Sequence, residues 1–364
     1  MVTKIITSTE EFYNLKGDWE YLQENDEDVT YYSTFEYNWV WWNVFKNDES
    51  NSLFIIALEN EGKIVGIAPL YIEKVKIKFL SYRKISFIGQ GDYFGVIFDK
   101  NCNVKSQTIL REFFKVMEEN NGMFDRILLT NIKHDSQLSS WILRSIRYNK
   151  YFKHLSECPI LNYKKYSNFD EYKKKFVSTS AKKFINKLQR EVGYNFKVVS
   201  NDVYDVYDKI VNMHKEEQNH LVVNKGRTER SSLFNTKFGD EFIRNLYKTN
   251  SKVITFVLED KDGKLLMYDT CYLYKKVLHS WNMAYDPKFE NYNLGKVINL
   301  EIVMYNYENN LFDIFDFGTG RYPWKFEWTD DFVIDYNLDV WNENTKMGKI
   351  FNKVFNITKR VLNK

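Results

Sequence analysis

Three cysteines in 364 residues, Cys102, Cys158 and Cys271, are too few and too scattered for a disulfide framework. They form no C-x-x-C pair and supply no zinc spacing, so no metal is expected, and a reducing cytoplasm is the simple setting. Proline is nearly as scarce, at 4 residues, so turns must be made mostly by glycine and polar residues. No stretch approaches the ~20 apolar residues of a spanning helix. Residues 1–21 are interrupted by Glu10, Glu11 and Asp18 and do not read as a secretory signal. A net charge of +3 is too slight to argue for DNA or RNA. Also missing are a G-x-G-x-x-G fingerprint, a phosphate-binding P-loop and any identifiable Ser-His-Asp arrangement.

What is abundant is aromatic side chain, 17% of the chain with 26 Tyr and 28 Phe. Apolar residues make up 44% and charged residues 28%, which suits a soluble body with real cores. The length fits about two domains. Residues 12–21 and 34–45 read as helices, the second with a core stripe at Phe35, Asn38/Trp39, Trp42 and Phe45. Residues 53–58 and 64–72 read as a hairpin about Gly62, with Pro69 marking a bulge or an edge. Residues 85–89, 95–98 and 124–129 read as strands and 108–119 as an amphipathic helix.

The second half repeats this order. A hairpin over 253–274 turns at Gly263, and Leu258-Glu259…Gly263-Lys264 echoes Leu58-Glu59…Gly62-Lys63. The strand at Phe312-Asp313 echoes the one at Phe124-Asp125, which suggests a duplicated hairpin–strand–helix–strand unit. Between the halves, residues 169–193 form a lysine-rich helix pair, read as a solvated connector or a basic rim for a phosphorylated ligand. Residues 202–221 continue as a helix with Val203, Val206, Tyr207, Ile210, Val211 and His214 at helical spacing. His214 is therefore either a base or a satisfied structural residue. Residues 237–247 read as another helix, and the basic, amphipathic tail at 349–357 is expected to pack on the body.

Residues 278–328 carry the densest pattern. Leu278 to Tyr285 alternates as a strand that stops at Asp286-Pro287. A polar loop leads to Asn293-Leu294-Gly295-Lys296 and a buried apolar helix. Residues 311–317 read as a central strand, followed by Gly318-Thr319-Gly320-Arg321-Tyr322-Pro323-Trp324-Lys325-Phe326. A helix N-terminus with a glycine and a lysine suits an anion, or is an ordinary helix start.

The Tyr285-Asp286-Pro287 and Leu294-Gly295 elements, with Asp316-Phe317-Gly318-Thr319-Gly320 and Trp324-Lys325, resemble the second half of the GNAT-type acyltransferases that hold two GNAT folds in one chain. The resemblance is strongest to bacterial acetyltransferases related to cellulose-biosynthesis and other polysaccharide proteins; the Fem peptidoglycan aminoacyltransferases are more distant. It implies an α/β fold with mixed sheets and two tandem GNAT-like domains, with boundaries expected at residues 1–165 and 166–364. The first copy has Asn103-Val104-Lys105-Ser106 at its helix start, so the second is expected to hold the acyl donor.

The resemblance further implies acetyl-CoA bound at Asn282, Met283 and Ala284 of the strand and at Asn293, Leu294, Gly295 and Lys296. Tyr285 is then a proton donor to the departing thiolate, or a strand-end aromatic. Lys325 serves acceptor binding or charge stabilisation beside Trp324, and Asp316 and Arg321 pair with it, meet the acceptor, or form a structural ion pair. The expected activity is direct transfer of an acetyl group to an amine of a small polar metabolite, an amino sugar or an amine-bearing antibiotic. Two rivals stand beside it: a Fem-like transferase using aminoacyl-tRNA, the one reading that brings in tRNA, and a non-catalytic GNAT scaffold.

Overall fold

The computed structural model describes residues 1–200, 206–249 and 252–362. The chain divides into two compact units, Met1–Glu157 with Val333–Lys364, and Cys158–Phe332. This differs from the 165/166 boundary expected from sequence. The reason is a strand pairing about 200 residues apart, which no local periodicity reveals.

In the first unit, β1 (Val2–Ile6) is followed by α1 (Thr9–Asn14), α2 (Lys16–Asn25) and α3 (Phe35–Phe45). The α3 stripe is core as expected: Phe35 and Trp42 are buried, and Thr34 caps the helix by accepting the Tyr37 N–H. Next come β2 (Asn51–Leu53), β3 (Ile55–Asn60), β4 (Lys63–Ala68), β5 (Leu70–Ile77), β6 (Leu80–Phe87) and β7 (Ile97–Phe98). The β3–β4 turn places both Glu61 and Gly62 at positive φ, 52° and 78°, the geometry that matches strand twist in a two-residue hairpin. Pro69 lies between β4 and β5, where the chain leaves the small sheet β1–β3–β4–β7 and joins the pairing of β5 with β2 and β6. Then α4 (Ser106–Glu119) crosses over to β8 (Arg126–Lys133), which lies parallel to β6. The helix α5 (Gln137–Arg144) and strand β9 (Phe152–Asn162) lead out.

The second unit contains α6 (Phe169–Phe176), α7 (Thr179–Glu191), β10 (Tyr194–Val199), α8 (Tyr207–Lys225) and α9 (Arg244–Thr249). A π-helical turn, Phe238–Ile243, precedes α9, so the expected 237–247 helix is not uniformly α. The beginning of the expected 202–221 helix, including Val203, lies outside the described residues. The sheet is built from β10, β11 (Val253–Asp260), β12 (Leu265–Tyr274) and β13 (Val277–Tyr285) in antiparallel sequence. After α10 (Leu294–Asn309), β14 (Ile314–Asp316) runs parallel to β13 and antiparallel to the end of β9.

The expected strand over 311–317 shrinks to three residues because Leu311 and Phe312 are claimed by the helix before them. Asn306 Oδ1 accepts both their N–H groups, at 2.9 and 3.0 Å, and its Nδ2 donates to Phe312 O at 2.8 Å. Helix α10 is buried around most of its girth by Leu294, Val297, Ile298, Leu300, Ile302 and Val303. Returning to the first unit, β15 (Phe332–Trp341) pairs antiparallel with β8, and α11 (Lys346–Leu362) follows. Phe351 of α11 is buried against Tyr82 and Trp341, so the basic tail does pack on the body.

The duplication seen in sequence recurs in detail. Both hairpins carry a register shift at the same point, between Leu58 and Glu59 and between Leu258 and Glu259. Both shifted glutamates pair with a lysine on the outer strand, Lys4 with Glu59 and Lys197 with Glu259. In each copy a helix then joins two parallel strands, β6–α4–β8 and β13–α10–β14. The fold is therefore α/β, with two tandem GNAT-like units.

Candidate active site

The candidate site lies in the second unit, where β13 outruns its neighbour. Strand β14 pairs with β13 only from Val277 to His279, because Gly318, at a φ of 75°, turns the chain away. Asp316 fixes that turn by accepting the Gly318 N–H at 2.8 Å, and its other oxygen lies 3.4 Å from His279 Nδ1. Beyond His279, β13 continues to Tyr285 with its β14 side unpaired by strand among the described residues.

Helix α8 packs against this extension and brings Glu217 to it. Glu217 is buried, and its carboxylate accepts from the Tyr285 N–H and from Gln218 Nε2 at 3.1 Å. Burial pushes its pKa up to about 7, opposed by those hydrogen bonds and by Arg230. A carboxylate poised near neutrality beside a free strand edge can take a proton there. Sequence reasoning missed it, although it lies three residues after His214 and so continues the same helical stripe.

His214 is buried one turn earlier, with Nδ1 2.8 Å from Ser232 Oγ and its ring edge-on to Phe234. Burial, with Arg230, lowers its pKa to about 4, so the ring is neutral at physiological pH. Tyr285 is half-buried, and burial together with Glu217 and Glu290 raises its phenol above the ordinary value, keeping the proton on. Asn282 is buried and receives the Tyr268 hydroxyl on Oδ1; Met283 is half-buried and Ala284 buried.

At the start of α10, Asn293 adopts the left-handed conformation (φ 50°, ψ 53°) and makes no side-chain cap. A Cβ built on Gly295 would meet nothing within 4 Å, so the first turn faces open space. Leu294 points into the core. Lys296 is ion-paired with Glu327 at 2.5 Å, which ties the helix start to the turn bearing Lys325.

Lys325 is buried, its ammonium donating to Gly318 O at 2.7 Å and Thr319 O at 2.9 Å. It also faces the rings of Tyr322 and Trp324 at 5.4 and 5.8 Å. Trp324 is half-buried, whereas Arg321 is exposed on the loop. A second acid unforeseen from sequence, Asp269, is fully buried on β12 and accepts from Ser280 Oγ at 3.0 Å and from the Cys271 thiol. Burial pushes it up to about 7, opposed by these bonds and by the Lys325 charge. The signal for it was a lone acid inside the apolar run of β12. The structure thus places Glu217 beside Tyr285, and joins Asp316 and Lys325 through Gly318 with Trp324 beside the ammonium. Among the described residues no cluster of His, Cys, Asp and Glu could hold a metal ion.

Residues 175–326 match the family model described as an acetyltransferase (GNAT) domain. That span covers α10, the free edge of β13 and the Lys325 turn. The chain carries a GNAT-type acyltransferase domain. No curated protein matches it by sequence. The crystal structure of FemX is similar in fold, with a TM-score of 0.58 at 10% identity, covering 93% of this chain and 98% of that one. So is a conserved protein of unknown function from Bacteroides thetaiotaomicron VPI-5482, with a TM-score of 0.56 at 9% identity, covering 93% and 100%. A C-terminal domain described as that of a lysylphosphatidylglycerol synthetase from Agrobacterium fabrum gives 0.53 at 13%, covering 93% and 94%. No helix among the described residues is long and apolar enough to cross a membrane.

Proposed function

We propose that the second unit transfers an acetyl group from acetyl-CoA to an amine of a small polar metabolite. The observation that carries this reading is the buried Glu217 carboxylate, near neutrality, set on the free edge of β13 within the acetyltransferase match. Acetyl-CoA supplies the acyl group as a thioester. Exposed amides of the first turn of α10, around the open Gly295, suit its phosphates. The backbone N–H of Met283, which faces the free edge as that of Tyr285 does, suits the developing negative charge on the acyl oxygen.

Glu217 takes the proton that the attacking amine loses as its C–N bond forms, and Tyr285 gives its phenolic proton to the sulfur as the C–S bond breaks. Lys325 holds the Gly318–Thr319 turn and adds positive charge, while Trp324 and Arg321 flank the acceptor. His214, already neutral, supports α8 through Ser232. An amino sugar or an amine-bearing antibiotic is the acceptor class that this polar setting suits. Cys102, Cys158 and Cys271, none of them in a disulfide, fit a reducing cytoplasm.

The test is thiol release from acetyl-CoA with a panel of amino sugars and aminoglycosides, followed from pH 6 to pH 8.5. Acetyl transfer should rise through about pH 7 and lose that rise in Glu217→Gln. Turnover by Glu217→Gln with an unchanged pH profile would overturn the assignment of the base.

A further inference from the structure

The hairpin joining β5 and β6 in the first unit ends in an exposed apolar tip. Ile77 pairs with Leu80, leaving Lys78-Phe79 as a two-residue turn. Lys78 has a φ of 52°, a conformation for which glycine is the undemanding choice. The tip nevertheless presents lysine and phenylalanine, and backbone strain of this kind is a pointer to function rather than to stability.

Phe79 is completely exposed at 101%, and Ile77 and Leu80 are exposed at 40% and 46%. Three large apolar side chains within four residues of the turn are thus exposed, Phe79 wholly. Residues 74–83 read Lys-Val-Lys-Ile-Lys-Phe-Leu-Ser-Tyr-Arg and contain no acid. Lys74, Lys76 and Lys78 are exposed and form no ion pair among the described residues. Arg83, by contrast, is answered by Asp125 at 3.5 Å.

The pairing register sorts these groups. Lys74 and Lys76 lie across from Arg83 and Ser81, while Val75 and Ile77 lie across from Tyr82 and Leu80. Alternation along a strand therefore gives one basic face and one apolar face that meet at Phe79. The apolar face begins in the packed ring of Tyr82 against Phe351 of α11 and runs out to the bare tip. An apolar tip with exposed lysines along one face complements a surface that is negative outside and apolar just beneath.

We propose that the β5–β6 tip seats on an anionic lipid surface, with Phe79, Ile77 and Leu80 entering the acyl boundary and Lys74, Lys76 and Lys78 meeting the headgroups. Attraction of this kind is worth about fivefold in affinity per lysine and falls with salt. One such finger gives reversible adsorption rather than anchoring. This inference is independent of the transfer chemistry, because it rests on the first unit alone.

The test is cosedimentation of the full chain with vesicles of phosphatidylcholine, or of equal parts phosphatidylcholine and phosphatidylglycerol. The expected result is binding to the mixed vesicles, weakened by salt and at least about tenfold weaker on phosphatidylcholine alone. Phe79→Asp should lower it about tenfold or more, and the Lys74→Glu, Lys76→Glu, Lys78→Glu triple variant should abolish it, both with an unchanged unfolding midpoint. No binding to the mixed vesicles, or Phe79→Asp binding like the parent chain, overturns the proposal. Self-association dispersed by Phe79→Asp without vesicle binding also overturns it and gives the tip to a second copy.

Discussion

Two buried acids of the second unit, Glu217 and Asp269, differ from three of the first. In the first, Asp26, Asp125 and Asp339 each have a cation beside them. Asp26, with no exposure, lies 3.1 Å from Lys100 and accepts the Phe98 and Asp28 N–H groups at 3.2 and 3.0 Å. Asp339 takes Arg126 two-point, at 2.7 and 2.8 Å. In the second unit, Glu217 and Asp269 form no ion pair among the described residues, and burial leaves both near pH 7. The copies share a hairpin, its register shift and its Lys–Glu pair, so the scaffold does not separate them. What sets Glu217 and Asp269 apart from Asp26 and Asp339 is that no ion pair among the described residues reaches them. Lys100 opposes the rise that burial imposes on Asp26, whereas burial carries Glu217 and Asp269 up to about 7, where a carboxylate can exchange its proton at working pH.

The contrast can be broken most severely at the acids themselves. Glu217→Gln should lower turnover by roughly 10²–10⁴-fold while acetyl-CoA binding and folding persist. Asp26→Asn should leave turnover intact and cost about 1–3 kcal/mol of stability, read by denaturant unfolding. Equal loss of turnover in both variants would erase the distinction.

The same carboxylate predicts a pH signature in stability. Folding raises the Glu217 pKa from 4.5 to about 7, so between those values the folded chain holds a proton that the unfolded chain has released. Stability contributed by this group is therefore intact below the unfolded value and is lost as pH climbs towards the folded one. Glu217→Gln escapes that loss, and should be more stable than the parent chain by about 3 kcal/mol above pH 7 and no more stable below pH 4.

Two glycines sharpen the comparison at smaller scale. A Cβ at Gly66 would sit 2.9 Å from Ile109 and 3.0 Å from Phe113 of α4, so Gly66→Val should destabilise by about 1–3 kcal/mol without touching donor binding. Gly295 opens on space, so Gly295→Ala should leave stability unchanged or raise it by up to about 1 kcal/mol while weakening acetyl-CoA binding. Calorimetric binding and unfolding of both variants would check the pair.

Much of the fold was legible in sequence where periodicity is local. The α3 stripe, both turn-glycine hairpins, α10 and the echo of Leu58-Glu59 in Leu258-Glu259 were all readable from spacing. The reach of β15 back to β8 was not, because a pairing of Trp341 with Arg126 leaves no local trace. Nor was the shortening of β14, decided by the single side chain of Asn306. The β5–β6 tip was passed over although Lys74-Val75-Lys76-Ile77 alternates as a strand does. Within the site, Lys325 and the Gly295 turn stood out by composition. Glu217 and Asp269 did not, since a carboxylate becomes a candidate base through burial and an absent cation, which are properties of the fold.

The central claim, that the second unit holds the acyl donor at the start of α10, is tested most directly by thermal unfolding with and without acetyl-CoA. At about 100 times its dissociation constant the ligand should add ~2.7 kcal/mol of stability to the parent chain. Gly295→Phe, equally stable without ligand, should show no such gain. No shift at millimolar acetyl-CoA in the parent chain, or an undiminished shift in Gly295→Phe, would contradict it.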